Sequence, residues 1–552
     1  MAAHQAQGLP PHGVPGYVLG TGNASEQDLV AVENVLSEDS SSQLPRSLTY
    51  KELRTTTSQL AAGLRKIGLR VGDRVLLAGP NCLYYSSIIL ATMGAGGCFV
   101  SAPSDFETNE FQHCIATALP KVIIAHPSVL AKLPATLGDH ELLFVLDDSD
   151  EGAKWPRNDA LGTWRHWTRL LDCDIDTIAT WLEYSPVQAA ETTALICMTS
   201  GSTGQRKAAQ HSHASLVSLI QIQMRALTTT RPSSRQLTTV GTLAAGHIGL
   251  TVEYLMALKA RQRFLVTQAR DPATIAAIIH RYQVDLSFLR PLLLDYINPD
   301  VSHVNLQSLC IAYTGGISVP TATMAAALGR LSDQALVVSF FGGTETGLVA
   351  VKDERQGLPQ NGEGLYLGRL ISNVKARLES LVPSTPWKPG QPGILHIHSP
   401  ANFIGYWQNA EATADTIGPD GYVDTGDIVT MTEGGHLWFV GRNKDVIKKG
   451  GSQVIPADIE AVIMQEFPTQ VQEVCVVGKP HPVFGEVPIA FILLSSPNKG
   501  FAINRVHEVV ARKLGPLNEL VGGVRIVTSL PRLDQVGKLD KMKLKEMAKL
   551  PA

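Results

Sequence analysis

Zinc sites and disulfide frameworks have no basis in this 552-residue chain. Its seven cysteines, at 82, 98, 114, 173, 197, 310 and 475, are odd in number and none belongs to a C-x-x-C. Such usage fits a reducing compartment, so a cytoplasmic location is expected. No apolar run reaches the ~18 residues of a membrane span. Residues 1–16 have neither the basic start nor the apolar centre of a signal peptide. A strong charge bias is also lacking. The formal net charge of −3 gives no global attraction to nucleic acid. There is no Walker loop of the form G-x-x-x-x-G-K-[ST] and no G-x-S-x-G elbow. The final Lys-Leu-Pro-Ala is not the S-K-L peroxisomal address.

What is present is an alternation. Apolar strand-like runs at 74–77, 122–125, 142–146, 195–198, 309–313 and 336–340 interleave with helical patterns such as 47–64 and 214–226. This predicts an α/β architecture with partly parallel sheets, and the length predicts at least two domains. Residues 1–45 and 382–392 read as loops or ends. A boundary is expected near Gly441-Arg442. Residues 443–552 carry 15 Lys/Arg against 11 Asp/Glu, a net +4, which leaves −7 for the remainder. That asymmetry suits a separate small domain facing an anionic ligand, and suits a solvated basic face equally.

The run Thr199-Ser200-Gly201-Ser202-Thr203-Gly204-Gln205-Arg206-Lys207 follows a predicted strand. Small residues let the backbone close on an anion, hydroxyls and N–H groups donate, and Lys207 adds charge. The same residues could form a turn before a helix at Ala214 capped by Ser212.

The run resembles the phosphate loop T-S-G-T-T-G-x-P-K of the adenylate-forming superfamily, which holds acyl- and aryl-CoA ligases, peptide-synthetase adenylation domains and luciferases. Six further segments resemble that family in order. Leu48-Thr49-Tyr50-Lys51-Glu52-Leu53 is similar to L-T-Y-x-E-L, and Met93-Gly94-Ala95-Gly96-Gly97 to L-K-A-G-A. Phe341-Gly342-Gly343-Thr344-Glu345 is similar to Y-G-x-T-E, and Tyr422-Val423-Asp424-Thr425-Gly426-Asp427 to Y-x-T-G-D. The stretch from Gly441 to Glu460 resembles G-R-x-K-D-x-I-K-x-G-G-x-x-V-x-P-x-E-I-E, and Gly537-Lys538 resembles the closing G-K.

The resemblance implies a large N-terminal domain of layered sheets and helices, 1–442, and a smaller mobile C-terminal α+β domain, 443–552. It implies activation of a carboxylic acid by ATP and Mg²⁺ to an acyl-adenylate, then transfer to coenzyme A. Charge builds on phosphate oxygens in such a reaction, so fixed donors and cations are needed. By resemblance Thr199, Ser200, Gly201, Ser202, Thr203, Gly204 and Lys207 hold the outgoing phosphates. Thr344 bonds the α-phosphate, and Glu345 holds the metal. Phe341 stacks on adenine, Gly315, Gly316 and Gly342 flank the adenylate, and Asp427 with Arg442 takes the ribose. Lys538 is the catalytic cation and Lys444 the hinge. Lys448, Gly450, Gly451 and Gln453 meet coenzyme A and the adenylate. His247 shields the carboxylate pocket, with a capping role as its alternative. Gly315, Gly342, Leu348 and Val349 line the acyl pocket, where a small Gly342 favours an aryl or medium-to-long acyl acid. Lys541, Lys543, Lys545 and Lys549 read as a solvated helix face.

Departures from the pattern are Arg206 for Pro, Ala208 for Gly, and Ile317-Ser318 for Ala-Pro. No acid near His247 could pair an α-amino group, which disfavours amino acids. An acyl carrier protein as acceptor and an inactive nucleotide-binding relative are the other readings.

Overall fold

The computed structural model describes residues 13–20, 24–35, 47–134, 137, 142–147, 164–173, 181–199, 206–227, 235–289, 306–316, 319, 321–357, 359, 365–382, 384–496, 501–532 and 539–550. Ser200, Gly201, Ser202, Thr203, Gly204, Ile317, Ser318 and Lys538 lie outside them. Two compact units divide the chain. The first comprises Met1–Gln356, Ile371–Val374 and His398–Val423, and the second Gly357–Leu370, Lys375–Ile397 and Asp424–Ala552.

The first unit holds a run of parallel strands flanked by antiparallel ones. Arg74–Gly79 lies between Cys98–Pro103 and Val122–Ala125, all parallel. Thr193–Thr199 extends this sheet and folds back antiparallel onto Lys207–Ser212, whose outer edge takes the short strand Gly405–Tyr406. Another set of strands, Thr238–Gly241, Arg263–Val266, Leu286–Phe288, Ile311–Gly315 and Leu336–Gly343, is also parallel. Alternation along each strand sends neighbours to opposite faces. Val75 and Leu77 join one core while Leu76 and Ala78 join another. Tyr313 and Val338 face the first core while Ala312 and Val337 face a third. Helices fill the shared layer. Tyr85–Gly94 is buried at every residue, which is why it shows no polar face.

The helix expected at 47–64 begins later. Ser47–Thr49 is a strand paired with Val30–Asn34, and the helix runs Tyr50–Lys66. Thr49 accepts from the Glu52 N–H while the Glu52 carboxylate accepts from Thr49, a capping box that sets the start. Likewise Ser212 caps His213–Ala226 as expected, and Lys207–Ser212 before it is a strand, while residues 200–205 of the expected turn lie outside the described residues.

The second unit carries two sheets. Val423–Met431 and His436–Arg442 form an antiparallel ladder in one. The other has five strands, with Gly485–Leu494 at its centre, Val471–His481 along one side of it, and helices Pro456–Glu466, Ile503–Leu514 and Lys541–Lys549 against the sheet. The boundary expected after Arg442 falls inside this unit, where the chain leaves the first sheet at Arg442 and enters the second at Ile447.

Gly63 decides how tightly Tyr50–Lys66 packs. A Cβ there would sit 1.9 Å from the Leu170 carbonyl oxygen. Helix propensity favours alanine over glycine by about 1 kcal/mol, but overpacking costs about 1–3 kcal/mol. Gly63→Ala should therefore lower the thermal midpoint. A rise would mean that the helix can move off the Trp167–Leu171 turn.

Candidate active site

Thr199 and Lys207 are cross-strand partners, so the ends of the glycine-rich loop are set by the sheet. The Thr199 hydroxyl donates to the Lys207 carbonyl at 3.3 Å. Arg206, the departure from proline, is an anchor. Its guanidinium pairs with Glu110 at 3.0 Å over the Phe106 ring, and its carbonyl meets His113 Nε2 at 2.8 Å. Proline at this position could make no such ion pair.

Glu345 lies in the turn between Leu336–Gly343 and Gly347–Asp353. The Tyr406 hydroxyl, 61 residues away, donates to its Oε1 at 2.9 Å. The Lys207 ammonium lies 4.9 Å from the centre of that same tyrosine ring. Burial first, and then the Glu345 charge that its hydroxyl faces, push the Tyr406 phenol far above its usual range. It stays a neutral donor. Burial and Glu345 also push the Cys197 thiol up to about 12. His211, fully buried, brings Nε2 to 2.8 Å from the Thr344 carbonyl, and burial lowers its pKa to about 4. The carbonyl can only accept, so Nε2 carries the proton and the ring is neutral at physiological pH. The Phe403 N–H donates to the Glu345 carbonyl at 2.9 Å. Thr344 and Glu345 are thus held from behind by His211 and by the segment from Phe403 to Tyr406. Tyr406 and His211 did not emerge from the sequence. The available signals were weak: a Gly-Tyr-Trp after a long loop, and a histidine in an otherwise small-residue strand.

The backbone alone already requires glycine at Gly342. A Cβ would lie 2.0 Å from the Gly347 carbonyl oxygen across the hairpin. The small residue there is therefore explained without reference to the acid. Gly315 is similarly constrained by the Phe340 carbonyl at 2.7 Å, and Gly316 takes a positive φ of 87°. Leu348 and Val349 are buried. Phe340 packs on Tyr313, with ring centres 5.4 Å apart, while Phe341 is part-exposed on the alternate face. His247 caps the helix Ile248–Lys259, accepting from the Gly249 N–H at 3.0 Å through Nδ1. Its ring is exposed. Further along that helix Glu253 is fully buried. It accepts from the Tyr313 hydroxyl at 2.5 Å, and its Oε2 has no hydrogen-bond partner among the described residues.

In the second unit Asp427 and Arg442 are cross-strand partners with a 2.6 Å ion contact. Burial raises the Asp427 carboxyl to about 6, against the pull of Arg442 and Lys444. Asn443 and Lys444 are exposed in a short turn that ends at Asp445. Gly450 and Gly451 have φ of 58° and 85°, as a two-residue hairpin loop requires. Lys448 and Gln453 pair across that hairpin, and both are exposed. Lys449 differs. It is buried, and its ammonium donates to the Pro516 and Leu517 carbonyls at 3.1 and 2.7 Å. Lys541 is also not the solvated residue expected, because it pairs with Asp445 at 2.9 Å.

A family model described as AMP-binding enzyme matches residues 23–407, and one described as AMP-binding enzyme C-terminal domain matches 458–538. The chain belongs to the AMP-binding enzyme family. The superfamily and enzyme class expected from the motifs are borne out, with the α/β architecture of a large N-terminal and a smaller C-terminal domain. This AMP-binding enzyme is 26% identical over 517 residues to a probable 4-coumarate--CoA ligase 1 of Dictyostelium discoideum, covering 90% of this chain and 91% of that one. It is 28% identical over 546 residues to the mitochondrial medium-chain acyl-CoA ligase ACSF2 of Bos taurus, covering 90% and 83%. Its fold matches the amide bond synthetase McbA from Marinactinospora thermotolerans with a TM-score of 0.80 at 21% identity, covering 98% and 100%. Among the described residues, no helix is long and apolar enough to cross a membrane.

Glu253 yields a stability test. Burial, opposed by hydrogen bonds from Tyr313 and the Phe288 backbone, raises its carboxyl to about 8. The folded state therefore holds a proton that the unfolded chain releases above about pH 4.3, so stability falls as pH rises from there towards 8. Glu253→Gln removes that dependence. Thermal midpoints at pH 5 and pH 8 should show the variant gaining several degrees on the wild type at pH 8. Parallel pH curves would mean that Glu253 is ionised in the fold.

Proposed function

We infer that this enzyme joins a carboxylic acid to the thiol of coenzyme A in two steps. An acid oxygen attacks the α-phosphorus of ATP, and the bond to the bridging oxygen breaks to release pyrophosphate. The thiol, losing its proton, then attacks the acyl carbon and AMP leaves. The observation that carries the reading is the grouping of Lys207, Tyr406, Glu345 and Thr344 at strand ends of one unit. A cation and a carboxylate bridged by one neutral phenol suit a polyphosphate and its counter-ion.

No group of three His, Cys, Asp or Glu side chains could cage a metal among the described residues. A single carboxylate fits Mg²⁺, which keeps its waters and takes few protein ligands. Glu345 would hold it, and when bound it would offset charge on the phosphates. On this reading Lys207 and the loop 199–204 steady the leaving pyrophosphate, Asp427 accepts from the ribose hydroxyls, and Phe341 offers a ring face to adenine. Lys538 supplies the transition-state cation. Lys444 is the hinge between 1–442 and 443–552, and the change of sheet between Arg442 and Ile447 supports that placement. Exposed Lys448 and Gln453, not buried Lys449, then meet the adenylate and coenzyme A.

An aryl or medium-to-long acyl acid is the substrate class. The rings of Phe288 and Phe340, packed on Tyr313 of the strand that leads to Gly315, support it, as do the coumarate and medium-chain names of the relatives. Seven free cysteines, mostly buried, fit a cytosolic location. The deciding experiment is a panel of acids scored for pyrophosphate release and for thioester with coenzyme A. Release with no thioester, unless an acyl carrier protein is added, would replace coenzyme A by that protein. No release with any acid would refute the reading.

Two variants refine it. Tyr406→Phe removes the donor that orients Glu345, and loss of such an outer partner costs about 10–100-fold in metal affinity. The Mg²⁺ needed for half-maximal rate should rise accordingly, and an unchanged titration would dissociate Glu345 from the metal. Asp427 predicts a pH effect. Its ionised form is the acceptor, so the KM for ATP should climb as pH falls through about 6. In Asp427→Asn the KM should be high and lack that inflection. An identical pH profile in both would remove Asp427 from the nucleotide site.

A further inference from the structure

The hinge turn is bracketed by two ion pairs of different parentage. On its N-terminal side Arg442 is tied to Asp427 within one antiparallel ladder. On its C-terminal side Asp445 is tied to Lys541, 96 residues later, at the first turn of the helix Lys541–Lys549. Between these anchors stand only Asn443 and Lys444, both exposed.

The second anchor is well set. The Asp445 side chain is 12% exposed and that of Lys541 31%. Beside them is a second carboxylate, Glu460, whose Oε1 accepts from the Val476 N–H at 2.7 Å. Its charge also acts on the Lys541 ammonium. Burial alone would lower the Lys541 pKa, but the Glu460 and Asp445 charges more than offset that and hold it above its usual value. Beyond Asp445 the chain is pinned. Val446 and Ile447 are buried, and the Lys449 ammonium is held by two carbonyls. The helix that begins at Lys541 buries Leu544 and Ala548 against the strands Val471–His481 and Gly485–Leu494.

We propose that Lys541 is a positioning residue whose ion pair with Asp445 ends the hinge, confining the dihedral change between the two half-reactions to Asn443 and Lys444. This rests on the two-step ligase reading. With the pair intact, residues from Asp445 onward turn as one body with the C-terminal helix. With it broken, Asp445 joins the flexible link, and the small domain no longer reaches a defined second orientation. The lysine acts through the hinge and touches no reacting atom.

Asp445→Asn and Lys541→Met break the pair, Lys541→Arg keeps it, and the double variant closes a mutant cycle. Hydrogen exchange at the Val446 and Ile447 amides, read without substrate, should quicken in both breaking variants and stay near wild type in Lys541→Arg. Steady-state acyl-CoA formation should fall by at least about tenfold in the breaking variants, as mispositioning costs. The first-turnover burst of pyrophosphate should keep its full amplitude. The double variant should be no slower than the worse single one. Unchanged exchange and turnover, losses that multiply in the double variant, or a burst that shrinks in step with the rate would each overturn the proposal. The last of these would mark a mere folding defect. If the wild type is inert to every acid, the ligase reading falls, while the exchange result still decides whether the pair closes the hinge.

Discussion

The hydrogen bond from Tyr406 to Glu345 organises the first unit's chemistry. It joins a strand-end turn to a segment 61 residues further along, and it does so with a phenol that burial and the acid itself keep neutral. A charge-assisted bond of this kind is worth about 1.5–3 kcal/mol. That is enough to choose one carboxylate rotamer among several. Everything near it follows from the same edge of the sheet. Gly405–Tyr406 can lie beside Lys207–Ser212 only because that strand folds back on Thr193–Thr199, and the fold-back brings Lys207 over the tyrosine ring. The glycine-rich loop is the connection within that fold-back. Its cation, its acid and its geometry share one cause.

Legibility in the sequence tracked how local the cause was. Parallel strands such as Arg74–Gly79 and Val122–Ala125 were visible because a strand buried on both faces is a continuous apolar run. The Ser212 cap was visible because capping is decided within three residues. The strand Lys207–Ser212 was not. Its Lys-Ala-Ala-Gln-His-Ser has no β-branched or aromatic residue, and it becomes a strand through its neighbours on both sides. His211 and Tyr406 were hidden for the same reason, since nothing near them in sequence marks what they touch. Gly342 has a second cause that sequence does not reveal. A glycine in a pocket motif invites a substrate explanation, whereas the 2.0 Å approach of the Gly347 carbonyl is a backbone demand.

The lysines of the second unit show how far identity falls short of role. Lys448 and Lys449 are adjacent, yet alternation along the strand exposes one and buries the other under the carbonyls of Pro516 and Leu517. Lys541 and Lys543 lie on one helix, and only the first meets an acid from another element. A net +4 over residues 443–552 therefore does not say which cations could face an anionic ligand, because Lys449 is buried under carbonyls and Lys541 is paired with Asp445.

On the proposed two-step reading, those pairs would let the small domain turn without softening. An exposed ion pair contributes little, about 0–1 kcal/mol, while breaking a buried one is costly because it strands a charge. Asp445 is the more deeply buried partner of its pair, as Asp427 is of the other. In each case the loss of the cation would leave a carboxylate without compensation in a poor solvent. Stiffness on both sides of Asn443 and Lys444 is thus enforced by the penalty for separation more than by the attraction itself. Asn443 and Lys444 between the pairs are exposed and bury no apolar side chain, so the penalty is smaller there. Rotation is cheapest there, because the dihedrals of two exposed residues can change while every buried ion keeps its partner.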